Sequence, residues 1–197
     1  MLRQILLASS LALIASAAVA APVSYTIDPN HTNVLFTWNH FGYSNPTGNL
    51  GGATGTIVFD QKDPSASSVE VTLPISALDT HVTELDGHLK ASDFLDAAKY
   101  PTITFKSTKV EKAAGEKAYT VSGDLTVHGV TKPVVLAATL NSAEIHPMTK
   151  LPAIGFDATT TIKRSDFGVG AYVPKVSDEL KVRITTEATA QKSIGEK

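Results

Sequence analysis

Cysteine is absent from the chain, which excludes a disulfide framework, thiolate zinc and iron–sulfur sites, a catalytic thiol and a lipidated cysteine. Neither charge is in excess: 17 basic residues against 19 acidic ones leave a formal charge of −2, and no basic footprint for nucleic acid. There is no Gly-x-Ser-x-Gly elbow and no Gly-x-x-x-x-Gly-Lys-Ser/Thr phosphate loop. Beyond the first twenty residues, no apolar stretch approaches the roughly 20 residues needed to span a bilayer, so the mature protein is expected not to be membrane-spanning.

What is present begins with a processing signal. Arg3 is followed by an uncharged run of apolar and small residues from Ile5 to Ala18, and Ala18-Val19-Ala20 supplies a small-x-small cleavage pattern. This predicts a cleavable signal peptide over residues 1–20, export of the mature chain, one domain over residues 21–190 and a frayed polar tail over residues 191–197. Removal of Arg3 changes the charge to 16 − 19 = −3. A hydrophobic content of 43% is enough for a core that holds without disulfides.

The domain reads as strands. Val34, Phe36 and Trp38 alternate with Asn33, Leu35, Thr37 and Asn39. Similar period-two runs occupy residues 56–59, 69–75, 103–110, 119–127, 133–140, 153–162 and 180–188, which makes eight candidate strands. The links are mostly too short for crossover helices, so the pairing is expected to be antiparallel. Between Ser76 and Tyr100 the spacing of Leu78, Leu85, Leu89 and Phe94 is closer to helical, predicting a long connection with one or two short helices. Eight antiparallel strands close as a sandwich or a barrel, and the apolar strand faces suit either a filled core or a ligand tunnel.

Motifs for chemistry are scarce. In His81-Val-Thr-Glu84-Leu-Asp-Gly-His88 the two histidines are seven residues apart and match neither zincin template, so no metal site is expected. His31, His40 and His128 fall at strand ends, where each is expected to cap a turn through backbone groups. His40 has the second reading of an imidazole at a barrel mouth, touching a headgroup.

The strand ends carry a family resemblance. In order they are Asp28-Pro-Asn-His31-Thr32-Asn-Val34-Leu-Phe36-Thr-Trp38-Asn-His40, Ser76-Ala-Leu-Asp79-Thr80, Asp86-Gly-His88-Leu89, Asp93-Phe94, Tyr100-Pro101-Thr-Ile103-Thr-Phe105-Lys-Ser107-Thr108, Gly123-Asp124-Leu125-Thr126-Val127-His128-Gly129-Val130-Thr131-Lys132-Pro133 and Arg164-Ser165-Asp166-Phe167-Gly168. From about Tyr25 to Ala188 the chain resembles the YceI-like family of secreted bacterial proteins. Trp38 is bulkier than the aliphatic residue expected there, and Phe41-Gly42-Tyr43-Ser44 is more aromatic than the usual turn.

The resemblance implies an all-β fold: an eight-stranded antiparallel lipocalin-like barrel enclosing a long isoprenoid or quinone-like lipid, with no catalytic activity and no cofactor besides that ligand. Shared strand parity then assigns the lining to Phe36, Trp38, Ile57, Phe59, Ile103, Phe105, Leu125, Leu136, Phe156 and Val182. His40, His88, Arg164 and Asp166 are candidates for the polar end, Arg164 with the alternative of bonding Asp166 to hold the turn. Two other readings stay open: a ligand-free interaction or stress-response module, and an exported hydrolase or isomerase on the same barrel. A homodimer across exposed barrel faces is also open.

Overall fold

Side chains alternate between an inward apolar set and an outward polar set along the long strands, and this period of two closes the chain on itself. The computed structural model describes residues 21–190; the expected signal peptide over 1–20 and the tail over 191–197 lie outside the described residues.

Eleven strand segments form one antiparallel sheet: β1 (Val23–Ile27), β2 (Asn33–Thr37), β3 (Thr47–Leu50), β4 (Thr54–Phe59), β5 (Ser68–Pro74), β6 (Leu78–Asp79), β7 (Thr102–Lys112), β8 (Ala118–Val127), β9 (Val130–Ile145), β10 (Pro152–Lys163) and β11 (Glu179–Ala190). They make eight barrel strands, because three of the eight are broken in two. β1 and β2 lie end to end along β11, with Tyr25 opposite Ala190 and Thr37 opposite Lys181. β4 and β3 run beside them, pairing Thr26 with Thr56 and Val34 with Leu50. β5 and β6 come next, pairing Thr54 with Thr72 and Leu50 with Leu78. From β5 the order continues through β7, β8, β9, β10 and β11, and the β11–β1 pairing closes an eight-stranded antiparallel barrel. Each period-two run of the sequence falls on one barrel strand; the missed segments β1, β3 and β6 are the other halves of the broken ones.

Each break has a local cause. Pro29 cannot donate to a ladder, and the turn after β1 is held by Asp28, whose carboxylate accepts from Asn30 N at 2.8 Å and meets His31 Nδ1 at 2.7 Å. This contact raises the His31 pKa and lowers that of Asp28. Between β3 and β4, Gly52 takes φ +67°, and a side chain there would approach the ring of Pro74 at the third break. The breaks therefore lie side by side, as one crease across three neighbouring strands.

The Ser76–Tyr100 connection holds one α-helix, α1 (Thr83–Lys90), after a 3-10 turn over Ile75–Ala77. Glu84 and Asp86 in its first turn and His88 and Lys90 in its last suit the helix dipole. Asp86 Oδ1 accepts from Thr80 N at 2.7 Å and Thr80 Oγ1 at 2.6 Å, which lowers the Asp86 pKa. At the other end Lys90 Nζ donates to Leu78 O at 3.0 Å and Ser76 O at 3.3 Å. Among the described residues no helix is long and apolar enough to cross a membrane.

Candidate ligand cavity

The barrel is not filled. A cavity of about 730 Å³ runs inside it, and all eight barrel strands supply lining side chains. Many inward apolar residues, Val34, Phe36, Trp38, Ile103, Leu125, Leu136 and Val182 among them, are only half-buried, because they border this void.

Two glycines help to make the room. Phe36 on β2 faces Gly48 on β3, and a Cβ on Gly48 would come 2.3 Å from the ring. Gly123 on β8 likewise accommodates Phe105 of β7, whose ring would lie 2.5 Å from an added Cβ. Both rings lie close over neighbouring glycine backbone. Phe36 also stacks on Trp38, with centroids 5.8 Å apart.

Aromatic side chains cluster toward one end of the barrel. Phe59, Tyr119 and Phe156 meet edge to face, with centroid separations of 5.3 to 6.1 Å. Lys112 Nζ lies 4.3 Å from the Tyr119 ring centroid and donates to Glu116 O. Among the described residues the buried Tyr119 hydroxyl has no hydrogen-bond partner.

The opposite end is the mouth, formed by α1 and the loops over residues 38–46 and 168–177. Leu85, His88 and Leu89 of α1 line the cavity there, together with His40, Phe41, Pro46, Tyr172 and Val176. The His88 ring lies between Phe94 and Tyr172, with centroids 5.7 and 6.2 Å away. The His40 ring stands edge-on to Phe41 at 4.5 Å.

Arg164 follows β10 and is 6% exposed. Its Nε donates to Ser177 O at 3.0 Å, Nη1 to Val169 O at 2.8 Å and Ala171 O at 3.2 Å, and Nη2 to Val176 O at 3.2 Å. One guanidinium thus holds four carbonyls of the mouth loop. Burial lowers its pKa from the ordinary arginine value. The guanidinium donates to these carbonyls, and no hydrogen bond joins Arg164 to Asp166. The carboxylate of this turn belongs to Asp178, which accepts from Ser165 N at 2.8 Å and Ser165 Oγ at 2.6 Å.

All twelve residues expected at the ligand, Phe36, Trp38, His40, Ile57, Phe59, Ile103, Phe105, Leu125, Leu136, Phe156, Arg164 and Val182, line this one cavity. His88 joins them; Asp166 is exposed and does not. The expectation for the turn histidines needs correction. His31 pairs with a carboxylate and His40 packs on a ring, while only His128 approaches a backbone carbonyl, that of Phe167, at 3.4 Å. Sequence reasoning missed Gly48 and Gly123, whose role depends on a ring from the neighbouring strand. It also missed Tyr172 and Val176, on a loop without period-two signal.

Most polar lining groups are already engaged by the protein. The hydroxyls of Thr32 and Thr186 bond each other at 2.9 Å, that of Thr80 is held by Asp86, and Ser67 Oγ accepts from Asp60 N at 2.9 Å. Among the described residues no group of three or more histidines and carboxylates is placed to hold a metal ion.

Comparison with known proteins agrees with this architecture. The Escherichia coli O6:H1 protein YceI is 40% identical over 184 residues, covering 93% of this chain and 95% of that protein. The crystal structure of Burkholderia cenocepacia BcnA superposes with a TM-score of 0.74 at 24% identity, covering 83% of this chain and 99% of that one. A polyisoprenoid binding domain from Saccharophagus degradans, implicated in plant cell wall breakdown, has the same fold with a TM-score of 0.67 at 16% identity, covering 86% and 99%. The family model of the YceI-like domain matches residues 25–188, from the first barrel strand to the last, and the chain accordingly belongs to the YceI-like family.

Proposed function

We propose that the protein is an exported, non-catalytic binding protein that holds a long isoprenoid or quinone-like lipid inside the barrel, for transport, storage or sequestration in the periplasm. The observation that carries this reading is the apolar cavity of about 730 Å³. It lies within the range of about 300–1,000 Å³ typical of small-molecule sites. Its shape favours a chain over a compact ligand: twelve-residue strands such as β10 and β11 extend about 40 Å, or roughly 30 Å along the axis of a tilted barrel.

The isoprenoid class is carried over from the Saccharophagus degradans domain, which shares the barrel. Export rests on Arg3, the run Ile5–Ala18 and Ala18-Val19-Ala20. His40 and His88 would meet the polar end of the ligand at the mouth, while Arg164 holds the loop around it. Apolar walls discriminate weakly between chain lengths, so several related lipids should be accepted. No catalytic residue or cofactor is assigned, and no nucleic-acid partner.

Native mass spectrometry of protein purified from its own host without detergent, followed by solvent extraction, tests this reading. A bound species that extracts as a prenyl lipid is expected. Leu136→Glu places a carboxylate in the lumen and should abolish uptake in a variant that still melts cooperatively. A clean apo mass, with no uptake of added prenyl quinone by folded protein, overturns the proposal.

A further inference from the structure

The rim of the cavity mouth is a single hydrogen-bonded unit. Phe41 N donates to Lys175 O and Ser177 N to Asn39 O, both at 2.9 Å, and a bridge joins His40 to Val176. On this rim the chain exposes several large apolar side chains. Phe41 is 46%, Tyr43 93%, Tyr172 61% and Val173 39% exposed, and Val82 ahead of α1 is 49% exposed. Five of the ten exposed large hydrophobic residues among the described ones are therefore gathered at this end.

Two further observations set the rim apart. Phe41 and Tyr172 occupy the left-handed region, at φ +53° and +66°, where bulky side chains are strained. The fold carries that strain while presenting the rings at the opening. Charge is also depleted here. Residues 39–50 contain no Asp, Glu, Lys or Arg, and residues 167–177 contain only Lys175, in a chain with 36 such residues (17 + 19). On neighbouring α1, Asp86 is turned onto Thr80 and Glu84 remains exposed.

We propose that this rim docks on a lipid bilayer, seating its aromatic rings at headgroup level so that an apolar ligand passes between membrane and cavity without crossing water. Tyrosine and phenylalanine rings favour the membrane–water interface, and Lys175 is complementary to anionic headgroups where a carboxylate would be repelled. A bilayer suits the site better than a protein partner because the exposed rings surround the opening of an apolar cavity, and only a lipid surface continues its interior. The inference rests on the lipid-holding reading, and the test separates the two.

The mature protein is floated with vesicles of phosphatidylethanolamine containing a minority of phosphatidylglycerol and a prenyl quinone. It is compared with Tyr43→Ser/Val173→Ser, neither position lining the cavity. The wild type should float, and the variant should partition roughly tenfold more weakly or worse, as removal of two apolar contacts implies. Its quinone uptake from vesicles should slow in proportion, while uptake of the same quinone diluted from ethanol reaches the wild-type end point. Tyr43→Trp should strengthen flotation. A wild type that stays off the vesicles, or a folded double variant that draws quinone from them at the wild-type rate, overturns bilayer docking. If ethanol-delivered quinone loads neither protein, the lipid-holding reading fails, and flotation alone then decides the rim: floating supports docking and remaining in solution overturns it.

Discussion

A single buried guanidinium decides the shape of the mouth. Arg164 gives its hydrogen bonds to the carbonyls of Val169, Ala171, Val176 and Ser177, so its donors are engaged by the loop it holds. In Arg164→Met each carbonyl that stays buried and unpaired costs about 1–3 kcal/mol. At about 2–4 °C per kcal/mol for a domain of this size, melting should fall by at least about 5 °C. Lipid uptake measured below the new melting point should be largely retained. Lost uptake with unchanged melting would instead place the guanidinium on the ligand headgroup.

Pairing between elements determines the width of the lumen. Gly48 and Gly123 sit under phenylalanine rings of adjacent strands, yet their surroundings differ. The three atoms nearest a Cβ on Gly48 all belong to the Phe36 ring, which has the lumen to move into, whereas one on Gly123 also comes 2.6 Å from the Lys106 carbonyl oxygen. Gly48→Ala should therefore reduce the amount of prenyl lipid held with little change in stability. Gly123→Ala should lower stability by about 1–3 kcal/mol, because backbone must shift as well as a side chain. Melting and lipid stoichiometry, measured together, check the contrast; equal effects from both would show that lumen space is not what separates them.

Across the whole molecule, the barrel trades a packed interior for a void. Half-buried inward residues such as Leu125, Leu136 and Val182 border that void. A ligand that fills the cavity binds the folded state alone. Saturation at a hundredfold excess over Kd adds about 2.7 kcal/mol. Prenyl quinone should then raise the melting temperature by roughly 5–10 °C. Added salt should leave this shift almost unchanged, because apolar burial is not screened. A folded protein whose melting ignores the quinone contradicts a filled cavity.

The amino-acid sequence by itself determined which faces are apolar. Period-two alternation does not depend on neighbours, so Val34, Phe36 and Trp38, or Leu125 and Val127, could be placed on the inner face from spacing alone, and one run was legible for each barrel strand. The short segments β1, β3 and β6 were not, because two to five residues beside Pro29, Gly52 or Pro74 are strands only through their partners. Tertiary structure alone decided whether the inner faces touch or leave room. Periodicity specifies the direction of a side chain but not the distance to the opposite wall, and that distance depends on strand closure and on rings resting over Gly48 and Gly123. It also decided Arg164, whose carbonyl partners lie five to thirteen residues along the chain and meet it only because the loop folds back.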